Sequence, residues 1–268
     1  MRFIKIVLYL LYFLAQAGNA QDMNLKLIDS LAIPNNEYTK FIGVDTHNFL
    51  FFTKHEIVTK TDGTNKWVYT NYELGEPTSV SILNPLQILI FYKETNTLVF
   101  LDRFLNETQR IDLNSISPSK IILWAENTKN QEAWLHNEIT NSLEFYNYKN
   151  NSTRSQTIPF SEKPSCLTAD FSTAYVLFDS QLCSYNIYGT QLNCAPSKKM
   201  DKIVLAANYI VGSTPNKSEF LFFDTTLKTV GSSIILQNNW QDFSVRNEKL
   251  YIYNGSNVYT YQLILSSK

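Results

Sequence analysis

Beyond its first 20 residues the chain is a succession of short apolar runs interrupted by Asn, Asp, Ser, Thr and Gly. The stretch ILIFYKETNTLVFLD, Ile88 to Asp102, shows the unit: an apolar run, four polar residues, and a second apolar run closed by a polar residue. That is the pattern of two strands joined by a tight turn. The closing segment recurs along the chain. LVFLD ending at Asp102 has counterparts in LEFYN at Asn147, LCSYN at Asn186, FLFFD at Asp224 and VYTYQ at Gln262, with EIVTK at Lys60 as a poorer upstream fit. From Lys60 onward the spacings are 42, 45, 39, 38 and 38 residues. Near-constant spacing of this length is the mark of a structural repeat.

The flanking segments repeat as well. Each closing segment follows another apolar run: FLFFTK, QILIFYK, EAWLHN, AYVLFD, YIVGST and KLYIYN. Ahead of those come FIGVD, TSVSI, KIILW, SCLTAD, KIVLAA and DFSVR. A fourth run follows five of the units, as KWVYT, TQRIDL, SQTIPF, QLNCA and SSIIL. No window past the leader keeps a helical period. Each unit therefore predicts four strands in about 40 residues, the plan of a propeller blade. Inner strands covered on both faces by neighbouring blades explain runs that are apolar throughout rather than alternating.

The sixth unit stops at VYTYQLIL and lacks a fourth strand, while LKLIDSLAI, Leu25 to Ile33, precedes the first unit and belongs to none. Pairing that N-terminal strand with the last blade closes a ring and removes two open edges. The chain thus resembles the six-bladed β-propeller superfamily: all-β, four antiparallel strands per blade, with the N-terminal strand completing the last. No NHL, YWTD, WD or kelch signature accompanies the repeat, and the divergence of the units resembles exported propellers. The resemblance implies a single propeller domain over residues 21–268.

The N-terminus modifies this picture. MRFIKIVLYLLYFLAQAGNA carries Arg2 and Lys5, an apolar run from Ile6 to Leu14 and then small residues, with Ala17 or Ala20 before the cleavage point. This is the three-part plan of a secretory signal peptide over residues 1–20, its apolar run short of a bilayer span. An exported protein, periplasmic or extracellular, without a transmembrane span after cleavage is expected. Removing the leader lowers Lys+Arg from 23 to 21 against 24 Asp+Glu, a net charge of −3. That is no footprint for nucleic acid.

Candidate chemistry is sparse. Of three cysteines, Cys183 and Cys194 flank a Tyr188-Gly189 turn. Counting outward, 187 faces 190 and 183 faces 194, close enough for a disulfide in an oxidising compartment; a longer turn would shift the register and break the match. Cys166, on an inner strand, reads as a buried thiol. A polar residue recurs where the first strand of each unit turns into the second: Asp45, Asn84, Glu126, Asp170, Asn208 and Asn247. These read as turn residues bonding the local backbone. The alternative is a ring of oxygens at the channel mouth holding calcium on Asp45, Glu126 and Asp170, as in calcium-dependent propeller lactonases.

No nucleophile motif accompanies His47, His55 or His136. The expected function is therefore a non-enzymatic binding or scaffold module without a cofactor, engaging a protein partner in an envelope-associated assembly. Any membrane contact runs through that partner. A metal-dependent hydrolase or lactonase with its site in the channel is the alternative. The loops expected to carry binding are Lys93 to Asn96, Asn137 to Asn141, Ser213 to Lys217 and Asn238 to Gln241, with Lys93, Glu94, Asn96, His136 and Trp240 as the candidate residues. Trp240 is read as an exposed anchor, and Trp67, Trp124 and Trp134 as packing between blades.

Overall fold

The computed structural model describes residues 22–34, 37–236 and 239–266. The leader over residues 1–20 and Asn238 of the fourth loop lie outside the described residues. The described chain forms six four-stranded antiparallel sheets arranged as propeller blades. The N-terminal strand is Asp22–Ala32 (β1). Blade 1 comprises Lys40–Val44 (β2), Leu50–Lys54 (β3), Ile57–Thr61 (β4) and Lys66–Thr70 (β5). Blade 2 comprises Ser79–Ser81 (β6), Ile88–Tyr92 (β7), Thr97–Leu101 (β8) and Glu107–Asp112 (β9). Blade 3 comprises Ile122–Asn127 (β10), Glu132–Asn137 (β11), Ser142–Asn147 (β12) and Ser152–Gln156 (β13). Blade 4 comprises Cys166–Ala169 (β14), Thr173–Leu177 (β15), Gln181–Asn186 (β16) and Gln191–Pro196 (β17). Blade 5 comprises Lys202–Leu205 (β18), Tyr209–Ser213 (β19), Glu219–Asp224 (β20) and Ile234–Ile235 (β21). Blade 6 comprises Asp242–Arg246 (β22), Lys249–Tyr253 (β23) and Asn257–Ser266 (β24). Its fourth and outermost strand is β1, paired antiparallel to β24 from Asp22↔Ser266 to Ala32↔Asn257. The ring closes as the unpaired N-terminal run predicts.

The core is six clusters, one at each blade interface, and β7–β8 shows why the inner runs are apolar throughout. Leu89, Phe91, Leu98 and Phe100 pack towards blade 3, against Ile122, Ala125, Leu135 and Tyr146. The alternate residues Ile88, Ile90, Tyr92, Val99 and Leu101 pack towards blade 1, against Phe51, Val58 and Tyr69. Side chains alternate across a strand, so a strand sandwiched between two neighbours needs an apolar residue at every position. The outermost strand β9 is almost wholly exposed, with Ile111 alone half-buried against the blade 2–3 cluster.

In blades 2 to 5 the polar residues closing the third strands have a common job, whereas Gln262 of blade 6 lies within β24. Asp102 accepts from the backbone N–H groups of Phe104 and Asn106, Asn147 from Lys149 and Asn150, Asn186 from Tyr188 and Thr190, and Asp224 from Thr226 and Lys228. A short side-chain oxygen capping the turn in this way fixes the hairpin into the fourth strand. In blade 1 the capping residue is Asp62, which accepts from Thr64 and Asn65, and not Lys60. A bond from the Asn65 side-chain amide, with these two backbone bonds, holds the exposed Asp62 carboxyl well below the usual range, at about 2.

Cys183 and Cys194 are disulfide-bonded, with Cα atoms 4.1 Å apart. The route to this pair differs from the simple count. Asn186 faces Thr190 across the turn, and Tyr185 faces Gln191, one residue out of step with a Tyr188-Gly189 hairpin; a bulge at Leu192 then restores Ser184↔Asn193 and Cys183↔Cys194. Cys166 is half-buried, and burial pushes its thiol pKa up. No helix among the described residues is long and apolar enough to cross a membrane.

Candidate functional site

The axial cavity and the face carrying the connections between blades are the places where the residues singled out by the sequence meet solvent. The cavity, of about 350 Å³, is lined by the first strand of every blade and the start of the turn that follows it. Most of its wall is apolar, from Ile42, Val44, Val80, Ile82 and Leu205. Its charged groups are Glu126, Asp170 and Arg246.

Glu126 corrects an expectation. It lies inside β10 and not in a turn, because that strand runs to Asn127 and the chain reverses over Thr128 to Glu132. Its carboxylate accepts from the Ser81 hydroxyl of blade 2. Burial pushes its pKa up from 4.5 to about 7, against the opposing effect of bonds from Ser81 and the Asn127 amide. The other two acids are committed to turns. Asp45 is fully buried and accepts from His47 N and Phe49 N, and Asp170 accepts from Ser172 N and Thr173 N. Among the described residues no three His, Cys, Asp or Glu side chains converge as a metal site.

An acid whose pKa is raised by folding contributes stability that is full below its unfolded value and is lost as pH rises through the folded value. For Glu126 that window runs from 4.5 to about 7. Glu126→Gln is therefore expected to raise the melting temperature at pH 8 and leave it unchanged near pH 4. Melting curves across that range check it; an equal shift at both ends would contradict the assignment.

The other site is the face formed by the turns between second and third strands together with the links between blades. Lys93 and Glu94 are exposed there. The remaining candidates from the sequence do not present their side chains. Asn96 is buried; its amide donates to Lys120 O and Asn114 Oδ1 and its oxygen accepts from Ile122 N, so it fastens blade 2 to blade 3. His136 is 2% exposed, inside β11, with its Nε2 3.3 Å from Asn141 Oδ1, and burial lowers its pKa. Trp240 is 6% exposed, stacked on Phe220 at 5.0 Å and edge-on to Phe243, so it is core and not an anchor. Trp134 does pack between blades, its indole N–H donating to Asp170 O in blade 4.

Sequence reasoning found the loop carrying Ile139 but missed the apolar side chains this face presents. Ile121, Ile139 and Ile158 are 49%, 57% and 80% exposed, all around blade 3. Glu138 N donates to Ile121 O, and the Glu138 carboxylate takes a 2.9 Å bond from Lys163 and feels the charge of Lys93. Phe160 N donates to Asn141 O, which brings the link carrying Ile158 alongside the turn carrying Ile139. The patch is three isoleucines with Glu138 and Lys163 at its edge and the charge of Lys93 close by. Ile121 and Ile158 hid inside the runs KIILW and SQTIPF, which read as strands. In the structure β10 begins at Ile122 and β13 ends at Gln156, leaving both isoleucines on links.

Comparison with solved structures returns other propellers. The chain superposes on the Neurospora crassa Pan2 WD40 domain with a TM-score of 0.60 at 10% identity, covering 90% of this chain and 83% of that one. A chain of the crystal structure of the mitotic checkpoint complex gives a TM-score of 0.60 at 8% identity, over 91% of this chain and 93% of that one. No protein-family model matches the sequence, and no curated protein matches it. At these identities the likeness shows the fold: a propeller with WD40-type structural neighbours.

Proposed function

We propose that this protein is a non-enzymatic propeller module that is exported and binds a protein partner, through the blade 3 side of its connector face, within an envelope-associated assembly. The observation that carries the reading is the exposed trio Ile121, Ile139 and Ile158 with its charged edge. Isolated exposed apolar residues are ordinary, but a cluster rimmed by charges on a rigid loop platform is the composition of a protein-binding patch. The WD40-type neighbours add a fold-level analogy: propellers of that kind often bind proteins, and one neighbour comes from a multi-protein complex. Export rests on the leader pattern of residues 1–20, and the Cys183–Cys194 bond is compatible with an oxidising compartment.

The test is cross-linked co-purification from the cells that make the protein, comparing wild type with an Ile139→Asp/Ile158→Asp double variant. Central apolar residues of an interface are worth about 1–2 kcal/mol each, so retention is expected to fall at least tenfold. Both positions are exposed, and the melting temperature should not move. Equal retention of the same partners by wild type and variant would remove the patch from the account.

A further inference from the structure

On the opposite face a second pocket lies between blades 1 and 2. It has a volume of about 230 Å³ and is walled by Phe49, Trp67, Pro85, Leu86 and Phe104. Phe49 and Trp67 meet edge to face at 5.4 Å, while Leu86 and Phe104 stand exposed at the rim. The ionisable groups lining it are His47, Lys60 and Arg103; no acid is among its described lining residues.

Lys60 is the unusual member. Aligned on the capping residues Asp62, Asp102, Asn147, Asn186 and Asp224, the position two before the cap holds Lys60, Phe100, Phe145, Ser184 and Phe222. In blades 2, 3 and 5 a phenylalanine therefore fills the seam with the following blade. Blade 1 puts an ammonium group there, 4% exposed, with its Nζ 4.2 Å above the Phe49 ring. That ammonium donates to Arg103 O at 2.8 Å. Its nearest carboxylate oxygen, Asp45 Oδ2, stands at 3.9 Å and has no hydrogen-bond partner. An ammonium has three donors, and burying one with donors unused is costly. A carboxylate entering the pocket takes up the free donor capacity of Lys60 and meets Arg103 at the mouth, while its apolar part fills the aromatic walls.

We propose that this pocket is a docking site for a segment of a partner protein that inserts an aromatic side chain flanked by carboxylates. The volume suits one aromatic side chain, and the charge of the lining is complementary to acidic flanks. The site lies on the opposite face from the isoleucine patch, so the protein can hold two partners at once.

The experiment is calorimetric titration of the full mature chain with the capped pentapeptide Gly-Asp-Phe-Asp-Gly. Binding in the micromolar to low-millimolar range is expected, at least tenfold weaker for the Gly-Asn-Phe-Asn-Gly peptide and for the Lys60→Met variant. Met suits a seam that holds Phe in other blades, so this variant is expected to melt at or above the wild-type temperature. Trp67→Ala should weaken binding to a similar extent. No binding by the wild type at millimolar peptide, or equal binding by Lys60→Met, overturns the proposal. Binding of 3-phenylpropionate as tight as that of the peptide overturns the assignment to a protein segment, because the pocket would then be built for a free aromatic acid.

Discussion

A chain that begins at residue 34 should lose its native monomer. β1 is the fourth strand of blade 6, and its ladder with β24 continues through Ile33 N donating to Ser256 O. Met23 and Leu25 join the blade 5–6 cluster, and Leu31 and Ile33 the blade 6–1 cluster, so β1 contributes to the seams on both sides of its blade. Deleting it exposes β24 as a long free edge and uncovers apolar surface in two interfaces at once. Each ladder bond is worth about 0.5–1.5 kcal/mol net. With the lost burial, a deficit of about 5 kcal/mol or more is expected, comparable to the whole stability of many domains. The melting temperature should drop by roughly 10–20 °C, with soluble aggregates formed through the open edge. A synthetic peptide covering residues 22–33, added in trans, should restore a monomer. An unchanged melt and a monodisperse monomer in the deleted chain would contradict the closure.

The second large effect is expected at Lys120 and Glu144. They form an ion pair whose side chains are 6% and 2% exposed, joining the link that enters blade 3 to that blade's third strand. The Glu144 carboxylate also accepts from Asn137 and Thr153. Burial by itself raises the Glu144 pKa, but the bonds from Lys120, Asn137 and Thr153 outweigh it and hold the carboxyl below its usual value. Glu144→Gln removes the charge that compensates a buried ammonium and should cost about 3–5 kcal/mol. A Lys120→Met/Glu144→Leu double variant, which takes both charges out, should recover most of that loss. The pH dependence has the opposite sense to that of Glu126. A depressed carboxyl contributes stability above its unfolded pKa and loses it as pH falls through the folded one, so the wild-type advantage over Glu144→Gln should shrink in acid, below about pH 4. Denaturant melts of the three proteins at pH 7 and pH 3 test this; equal stability of Glu144→Gln and wild type at pH 7 would show that the pair contributes nothing.

The architecture was legible because it is written in a period. A strand buried on both faces leaves an uninterrupted apolar run, and a capped turn leaves Asp or Asn at its end, so Ile88 to Asp102 carried the two inner strands and the cap from which the period could be found. The Cys183–Cys194 pair was legible for a weaker reason: a turn one residue out of step is cancelled by the bulge at Leu192. Boundaries were harder. Glu126 looked like a turn because a carboxylate inside an inner strand is costly, and bonds from the Ser81 hydroxyl of the preceding blade and from the Asn127 amide offset that cost. Residues outside the period were hardest. Trp240 sits on a link, where sequence offers no cue that Phe220 and Phe243 enclose it. Ile121 and Ile158 were absorbed into strands that end or begin one or two residues away. Lys60 registered as a poor match to the repeat. The structure gives the reason: the cap is Asp62, and the lysine occupies a position where blades 2, 3 and 5 bury a phenylalanine.

The blade 3 side of the connector face is expected to engage a protein in the cell. The most direct measurement places a photo-reactive amino acid at position 139, and as a control at position 192 on the outer strand of blade 4, in the cells that produce the protein. Irradiation should give one or a few discrete adducts from position 139, lost when Ile158→Asp is added, and none of these from position 192. The same adduct pattern from both positions, or none from either, would contradict it.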